Sequence, residues 1–206
     1  LWKKVLAAVT AGMLCLGCAG VSGLQGVLGS VSAVLPVCAA ENDTAYTVTV
    51  PVGTRTTQLT YTVNADDTVE ITDCENDAAG DLEIPAEIDG KTVTSMGYYS
   101  FSYCANLTSV IIPNGVANIG DNAFGNCEKL ENITIPSSVT NIGDRSFAGC
   151  ENLTSVIIPN SVENIGYSAF DGCTSLAEIT IPSSVTSIGG NAFLDTPWLA
   201  ARQEEN

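Results

Sequence analysis

Chemistry in this chain has to come from thiols, carboxylates and hydroxyls, because none of its 206 residues is histidine. That removes the commonest general base and the commonest metal ligand. Four cysteines recur at constant spacing, Cys104, Cys127, Cys150 and Cys173, with Cys74 ahead of them. Identical positions on adjacent strands lie about 4.8 Å apart, so distance alone would permit a ladder of disulfides. Two features oppose it. After residue 40 the cysteines number five, which is odd, and no two of these five form a C-x-x-C pair to hold zinc. Each repeating cysteine also follows a phenylalanine by three residues, where a buried thiol acts as a small hydrophobe. The expectation is free thiols in a core. The acidic clusters Asp66-Asp67 and Glu75-Asn76-Asp77 lack the ordered spacing of a calcium loop. No nucleophile elbow, phosphate loop or carboxylate pair that folding would bring into a cleft is present. The chain therefore reads as non-enzymatic, with neither cofactor nor metal.

The elements that position these residues repeat. From Leu107 to Trp198 the chain divides into four blocks of 23 residues beginning at Leu107, Leu130, Leu153 and Leu176. Pro113, Pro136, Pro159 and Pro182 form a second column, Phe124, Phe147, Phe170 and Phe193 a third, and Gly120, Gly143, Gly166 and Gly189 a fourth. A fixed period of this length marks a stacked architecture. Within one block, Val110 and Ile112 share one face of a short strand that Pro113 ends, since proline cannot donate a ladder hydrogen bond. Val116 and Ile119 form a second inward pair, and Gly120 is expected to permit a tight bend. Ala123, Phe124 and Cys127 return the chain through a short turn or 3₁₀ segment. Seven inward residues in 23 bury little alone; stacked, they make a continuous core.

The pattern L-x-x-I-x-I-P-x-x-V-x-x-I-G-x-x-A-F-x-x-C resembles the BspA-like leucine-rich repeat, closely over Leu107 to Phe193 and loosely from about Leu59. The resemblance implies a right-handed leucine-rich-repeat solenoid, mainly β with short 3₁₀ or helical turns, and a parallel sheet on its concave face. It also implies a secreted or cell-surface adhesion protein, members of the class binding host matrix proteins such as fibronectin and fibrinogen, or other bacteria. The repeat motif does not set the binding residues, so none carries over.

Candidate ligand contacts are instead the outward strand positions between the apolar columns: Ser109 and Ile111, Asn132 and Thr134, Ser155 and Ile157, Glu178 and Thr180. Blocks one and three are identical at 15 of 23 positions, against 11 for blocks one and two. The Ile, Thr, Ile, Thr alternation along the second column therefore has two readings: a mixed apolar and hydroxyl binding stripe, or duplication of a two-repeat unit using β-branched strand residues. The ligand would be a protein or a glycan on this solenoid face.

The flanks complete the organisation. Lys3 and Lys4 precede an uncharged run from Val5 to Ala40, and Pro36-Val37-Cys38-Ala39-Ala40 suits a signal peptidase, so residues 1–40 read as an export signal cut after Ala39 or Ala40. An uncleaved span and lipidation at Cys18 are the competing readings. Residues 41–206 then hold five basic and 23 acidic side chains, a net charge of −18 that repels nucleic acid and anionic lipid. The mature form is expected to engage neither nucleic acid nor membrane. Residues 41–58 are an extended, Thr-rich segment in which Tyr46, Val48 and Val50 alternate with threonines up to Pro51, read as a strand end or edge. Residues 59–106 form an N-terminal cap: a β-hairpin of Leu59–Val63 and Thr68–Thr72 around an Asn64–Asp67 turn, then a degenerate repeat from Leu82 with five extra residues near Asp89-Gly90. Residues 107–198 are the four repeats. Thr196 as N-cap and Pro197 as first helical residue start a helix through residues 199–206 that either closes the stack or precedes further chain. In the second case the array would be a targeting or spacer segment of a larger exported enzyme or wall-anchored protein.

Overall fold

The computed structural model describes residues 32–36 and 45–204. The remainder of the expected export signal, including Cys18 and the Ala39-Ala40 cleavage point, lies outside the described residues. Strand β1 (Ser32–Pro36) pairs antiparallel with β2 (Tyr46–Val52).

From residue 79 the chain makes five coils, each contributing one strand to each of two parallel stacks. On the first face these are β5 (Ala79–Glu83), β8 (Asn106–Ile111), β10 (Asn132–Thr134), β12 (Ser155–Ile157) and β14 (Glu178–Thr180). On the second they are β7 (Lys91–Met96), β9 (Asn118–Ile119), β11 (Asn141–Ile142), β13 (Asn164–Ile165) and β15 (Ser187–Ile188). Partners such as Val110↔Ile133 and Ile119↔Ile142 are 23 residues apart, so one period advances the chain by one strand spacing. Leu107, Val110, Ile112, Val116, Ile119, Phe124 and Cys127 are all essentially inaccessible to solvent. The columns read from sequence as inward are thus the core.

The third side is a run of tight turns, the first of the two forms expected, and not a 3₁₀ segment. Bonds from i+3 to i close every second residue (Ala123→Gly120, Gly125→Asn122, Cys127→Phe124), and the intervening amides reach the next coil, as in Asn122 N–H to Asp144 O and Phe124 N–H to Ser146 O. That geometry puts two residues per coil at positive φ: Asn122 and Asn126, Arg145 and Gly149, Ser168 and Gly172, Asn191 and Asp195. Asparagine, aspartate and glycine tolerate this conformation best. Gly120 has another role than the one expected: its φ is not positive, and a Cβ there would lie 2.6 Å from Met96 O. The glycine column lets successive coils approach.

Inside, Phe101, Phe124, Phe147, Phe170 and Phe193 form an offset stack with centroids 4.9 to 5.6 Å apart and rings within 10° of parallel. The N-terminal cap closes one end of it. Strands β2, β3 (Arg55–Val63) and β4 (Val69–Cys74) are an antiparallel meander whose outer members join the coils, β2 to β5 and β4 to β7, so one sheet passes from one face round to the other. The expected hairpin forms from β3 and β4, and β2 adds a further strand to it, so the Thr-rich segment belongs to the cap. Pro51 does not end β2. It sits in the gap between the β1 partners, which reach Thr49, and the single β5 partner at Val52. The five extra residues in the degenerate repeat make a hairpin of β6 (Glu87–Ile88) with β7, turning on Asp89 and Gly90 at φ 54° and 76°, the two positive dihedrals of a type I′ turn. Asp89 accepts a hydrogen bond from the buried Tyr61 hydroxyl at 3.0 Å. Burial first, and this bond second, push the Tyr61 pKa far above its ordinary value.

At the other end, helix α1 (Pro197–Glu204) starts as expected: Thr196 Oγ1 accepts from Leu199 N–H at 3.2 Å and donates to Phe193 O at 2.7 Å. Trp198 lies 4.9 Å from Phe193, and Arg202 stacks on it at 4.0 Å. The helix buries no residue completely, and Ile188 stays 50% exposed where Ile119, Ile142 and Ile165 are buried. Trp198 thus covers the aromatic stack but not the whole end.

Candidate functional site

The eight candidate residues come together on the first face. Parallel pairing sets Ser109 beside Asn132 and Ile111 beside Thr134 on β8 and β10, and Ser155 beside Glu178 and Ile157 beside Thr180 on β12 and β14. Their strand neighbours Val110, Val156 and Ile179 point into the core, so period-two alternation sends these side chains outward. Ser109 is half-buried and the other seven are exposed. Ile157 is 74% exposed and Ile111 44%. Leaving an isoleucine in water forgoes the roughly 1.5–3 kcal/mol that burying it would contribute, so two in one column stand out.

The stripe is longer than the eight residues. On β5, Asp81 pairs with Ser109 and Glu83 with Ile111, and Asp81 accepts from Thr108 Oγ1 at 2.8 Å. Placing Leu82 in the Val110 column contained the signal for both carboxylates. The stripe is also divided. The hydrogen-bonded ladder runs β5–β8–β10 and, separately, β12–β14, so Thr134 and Ile157 are adjacent without being paired. Beside the first part lies a groove of about 530 Å³, lined by Pro51, Glu83, Pro85, Ile111, Pro113, Thr134 and Pro136 among others. That volume suits a small ligand or an anchoring side chain. Pro85, Pro113 and Pro136, just past the ends of β5, β8 and β10, make its wall because they cannot donate to the ladder.

The thiols have a different role. Cys127 Sγ lies 3.1 Å from Phe101 O, Cys150 Sγ 3.2 Å from Phe124 O, and Cys173 Sγ 3.1 Å from Phe147 O. Each S–H donates to a carbonyl of the preceding coil. All five described cysteines are free and buried. Burial pushes the Cys127 thiol up to about 12 and Cys150 well above its ordinary value. At Cys74 the hydrogen bond with Cys104 leads and burial adds to the rise. These shifts keep Cys74, Cys127 and Cys150 protonated, and a protonated thiol is a poor nucleophile. Among the described residues no group of three or more His, Cys, Asp or Glu could hold a metal ion, and no helix is long and apolar enough to cross a membrane.

The coil geometry, the column pattern and the buried Phe–Cys ladder define a leucine-rich repeat solenoid. The BspA-type leucine-rich repeat region matches residues 86–201 in six copies, more than half of the chain, and the chain belongs to that family. Solved structures agree. The leucine-rich repeat protein of Treponema pallidum superposes with a TM-score of 0.63 at 32% identity, over 66% of this chain and 63% of that one. A leucine-rich cell surface protein of Faecalibacterium prausnitzii gives 0.62 at 33% identity, over 68% and 36%. A leucine-rich repeat protein from Bacteroides ovatus gives 0.59 at 40%, over 66% and 37%. This chain thus spans under two thirds of the treponemal protein and little more than a third of the other two. No curated relative matches it.

Proposed function

We propose that this chain is an exported, surface-displayed binding module that mediates adhesion by gripping a protein ligand along the stripe from Glu83 to Thr180. The observation that carries the reading is the exposure of Ile111 and Ile157 in one outward column with Thr134 and Thr180. Those side chains combine apolar contact area with hydroxyls, and the Pro-walled groove beside Ile111 offers a place for an anchoring side chain. The acidic balance favours a ligand surface carrying lysine or arginine. Similarity to a cell-surface protein of F. prausnitzii supports surface display, and host matrix proteins are the first ligands to test.

The test is surface plasmon resonance over immobilised fibronectin and fibrinogen, comparing the native chain with Ile111→Lys, Thr134→Lys, Ile157→Lys and Thr180→Lys combined. All four positions are exposed, so the variant keeps its fold, which circular dichroism verifies. Binding that disappears in the variant supports the proposal; binding of equal strength places the ligand elsewhere.

A further inference from the structure

A second surface lies on the other side of the coil, where each short strand of the second face runs into the glycine column. A groove of about 350 Å³ opens there. Its floor is bare backbone: a Cβ on Gly143 would sit 2.7 Å from Gly120 C, and one on Gly166 2.5 Å from Asp144 N. One wall carries Asn141 and Asn164, the other Asp121, Asp144 and Tyr167. Asn141 Nδ2 donates to Asn118 Oδ1 at 2.7 Å. Asp121 Oδ1 accepts from Asp144 N–H at 2.9 Å and Asp144 Oδ1 from Tyr167 N–H at 2.7 Å. These bonds orient both carboxylates along the groove.

One aromatic ring lines the groove, and a second lies beyond Asp121 in the same column. Tyr167 is 44% exposed, with Arg145 5.7 Å from its ring centroid and Asn191 Nδ2 3.2 Å from its hydroxyl. The pairing Met96↔Ile119 sets Tyr98 beside Asp121, so the column reads Tyr98, Asp121, Asp144, Tyr167. Tyr98 is 65% exposed and makes an edge contact with Tyr99 at 4.2 Å. Three strand spacings of about 4.8 Å separate the two rings, about 14 Å.

A ligand for this groove needs flat C–H faces to cover rings and hydroxyls to engage carboxylates and amides. An anion meets Asp121, Asp144 and the chain's net negative charge, and Arg145 at the same rim opposes a simple cation. What remains is a neutral polyol. We propose that the groove is a saccharide-binding site, in which a short neutral oligosaccharide stacks pyranose rings on Tyr167 and Tyr98 and presents hydroxyls to Asp121, Asp144, Asn141 and Asn164. This site is separate from the protein-binding stripe and does not rest on it.

The experiment titrates the full chain with neutral gluco-, manno- and galacto-configured oligosaccharides, and with a sulfated oligosaccharide, by calorimetry and ligand-observed NMR. At least one neutral saccharide binds, Tyr167→Ala and Tyr98→Ala each weaken it about tenfold, and Ile111→Lys leaves it unchanged. Both rings are exposed, so the thermal midpoint of each Tyr variant stays within about 2 °C of the native one. Absence of binding to every neutral probe at millimolar concentration overturns the proposal. So do binding indifferent to both tyrosines, preference for the sulfated probe, and Tyr variants that weaken fibronectin capture but not saccharide binding.

Discussion

Removing the middle ring of the phenylalanine stack tests what holds the coils together. Phe147 is fully buried between Phe124 at 5.4 Å and Phe170 at 5.1 Å. Phe147→Ala loses the transfer energy of the ring and opens a cavity, about 3–5 kcal/mol for a phenylalanine. Two stacked neighbours each add about 0.5–1.5 kcal/mol, which places the cost at the top of that range, about 5 kcal/mol. Phe193→Ala removes a ring with one stacked phenylalanine, a tilted Trp198 and 7% exposure, and should cost about 3 kcal/mol. Urea unfolding followed by circular dichroism measures both. In a nearest-neighbour array the central variant should also lower the slope of the transition, because the coils on either side unfold separately. Equal costs at the two positions, or less than about 1.5 kcal/mol at Phe147, would refute the continuous stack as the main source of cohesion.

Other consequences are direct. Cys74, Cys127 and Cys150 have raised pKa values, so the unfolded chain loses thiol protons first, and stability complete below about pH 8.5 falls as pH rises towards about 12 for Cys127. Urea midpoints under reducing conditions should be flat from about pH 6 to 8, and stability should then decline by about 1.4 kcal/mol per pH unit for each thiol; a flat profile to about pH 10 contradicts the burial argument. Gly166→Ala drives a Cβ to 2.5 Å from the Asp144 and Gly143 backbone and should cost about 3 kcal/mol, more than Gly90→Ala, which meets nothing within 4 Å and bears only the positive-φ cost of about 1–2 kcal/mol; thermal melts rank the pair. Tyr99 has φ 59° where the next coil uses Asn122, so Tyr99→Asn should stabilise by about 1 kcal/mol, read as a higher urea midpoint. Thr196→Ala removes the cap of α1, and faster hydrogen exchange at the Leu199 amide should report the loss of about 1 kcal/mol.

Part of the candidate surface was readable because register follows from the period. Once Leu107 and Leu130 share a column, Ser109 must neighbour Asn132 and Ile111 must neighbour Thr134, whatever the coil's shape. Asp81 and Glu83 were within the same logic but lay in a degenerate copy whose first column is missing. The tyrosine groove was not readable. Tyr98 and Tyr167 share a column, yet Asp121 and Asp144 stand between them, and nothing local shows that Arg145 approaches one ring or that the glycine column packs directly on the backbone of the preceding coil.

The sequence by itself determined the inward columns, the free thiols, the turn over Asn64–Asp67 and the Thr196 cap, because each depends on spacing or on contacts within a few residues. Tertiary structure alone decided four things. Beyond β7 the second parallel ladder forms from two-residue strands, which are too short to register as a pattern. Positive φ twice per coil follows from amides that must reach the next coil. The meander joins both faces because Val52 finds Leu82, a contact without a period. Finally, Ile188 is left half-exposed while its three column-mates are buried, since burial depends on what stacks above a residue and not on its type.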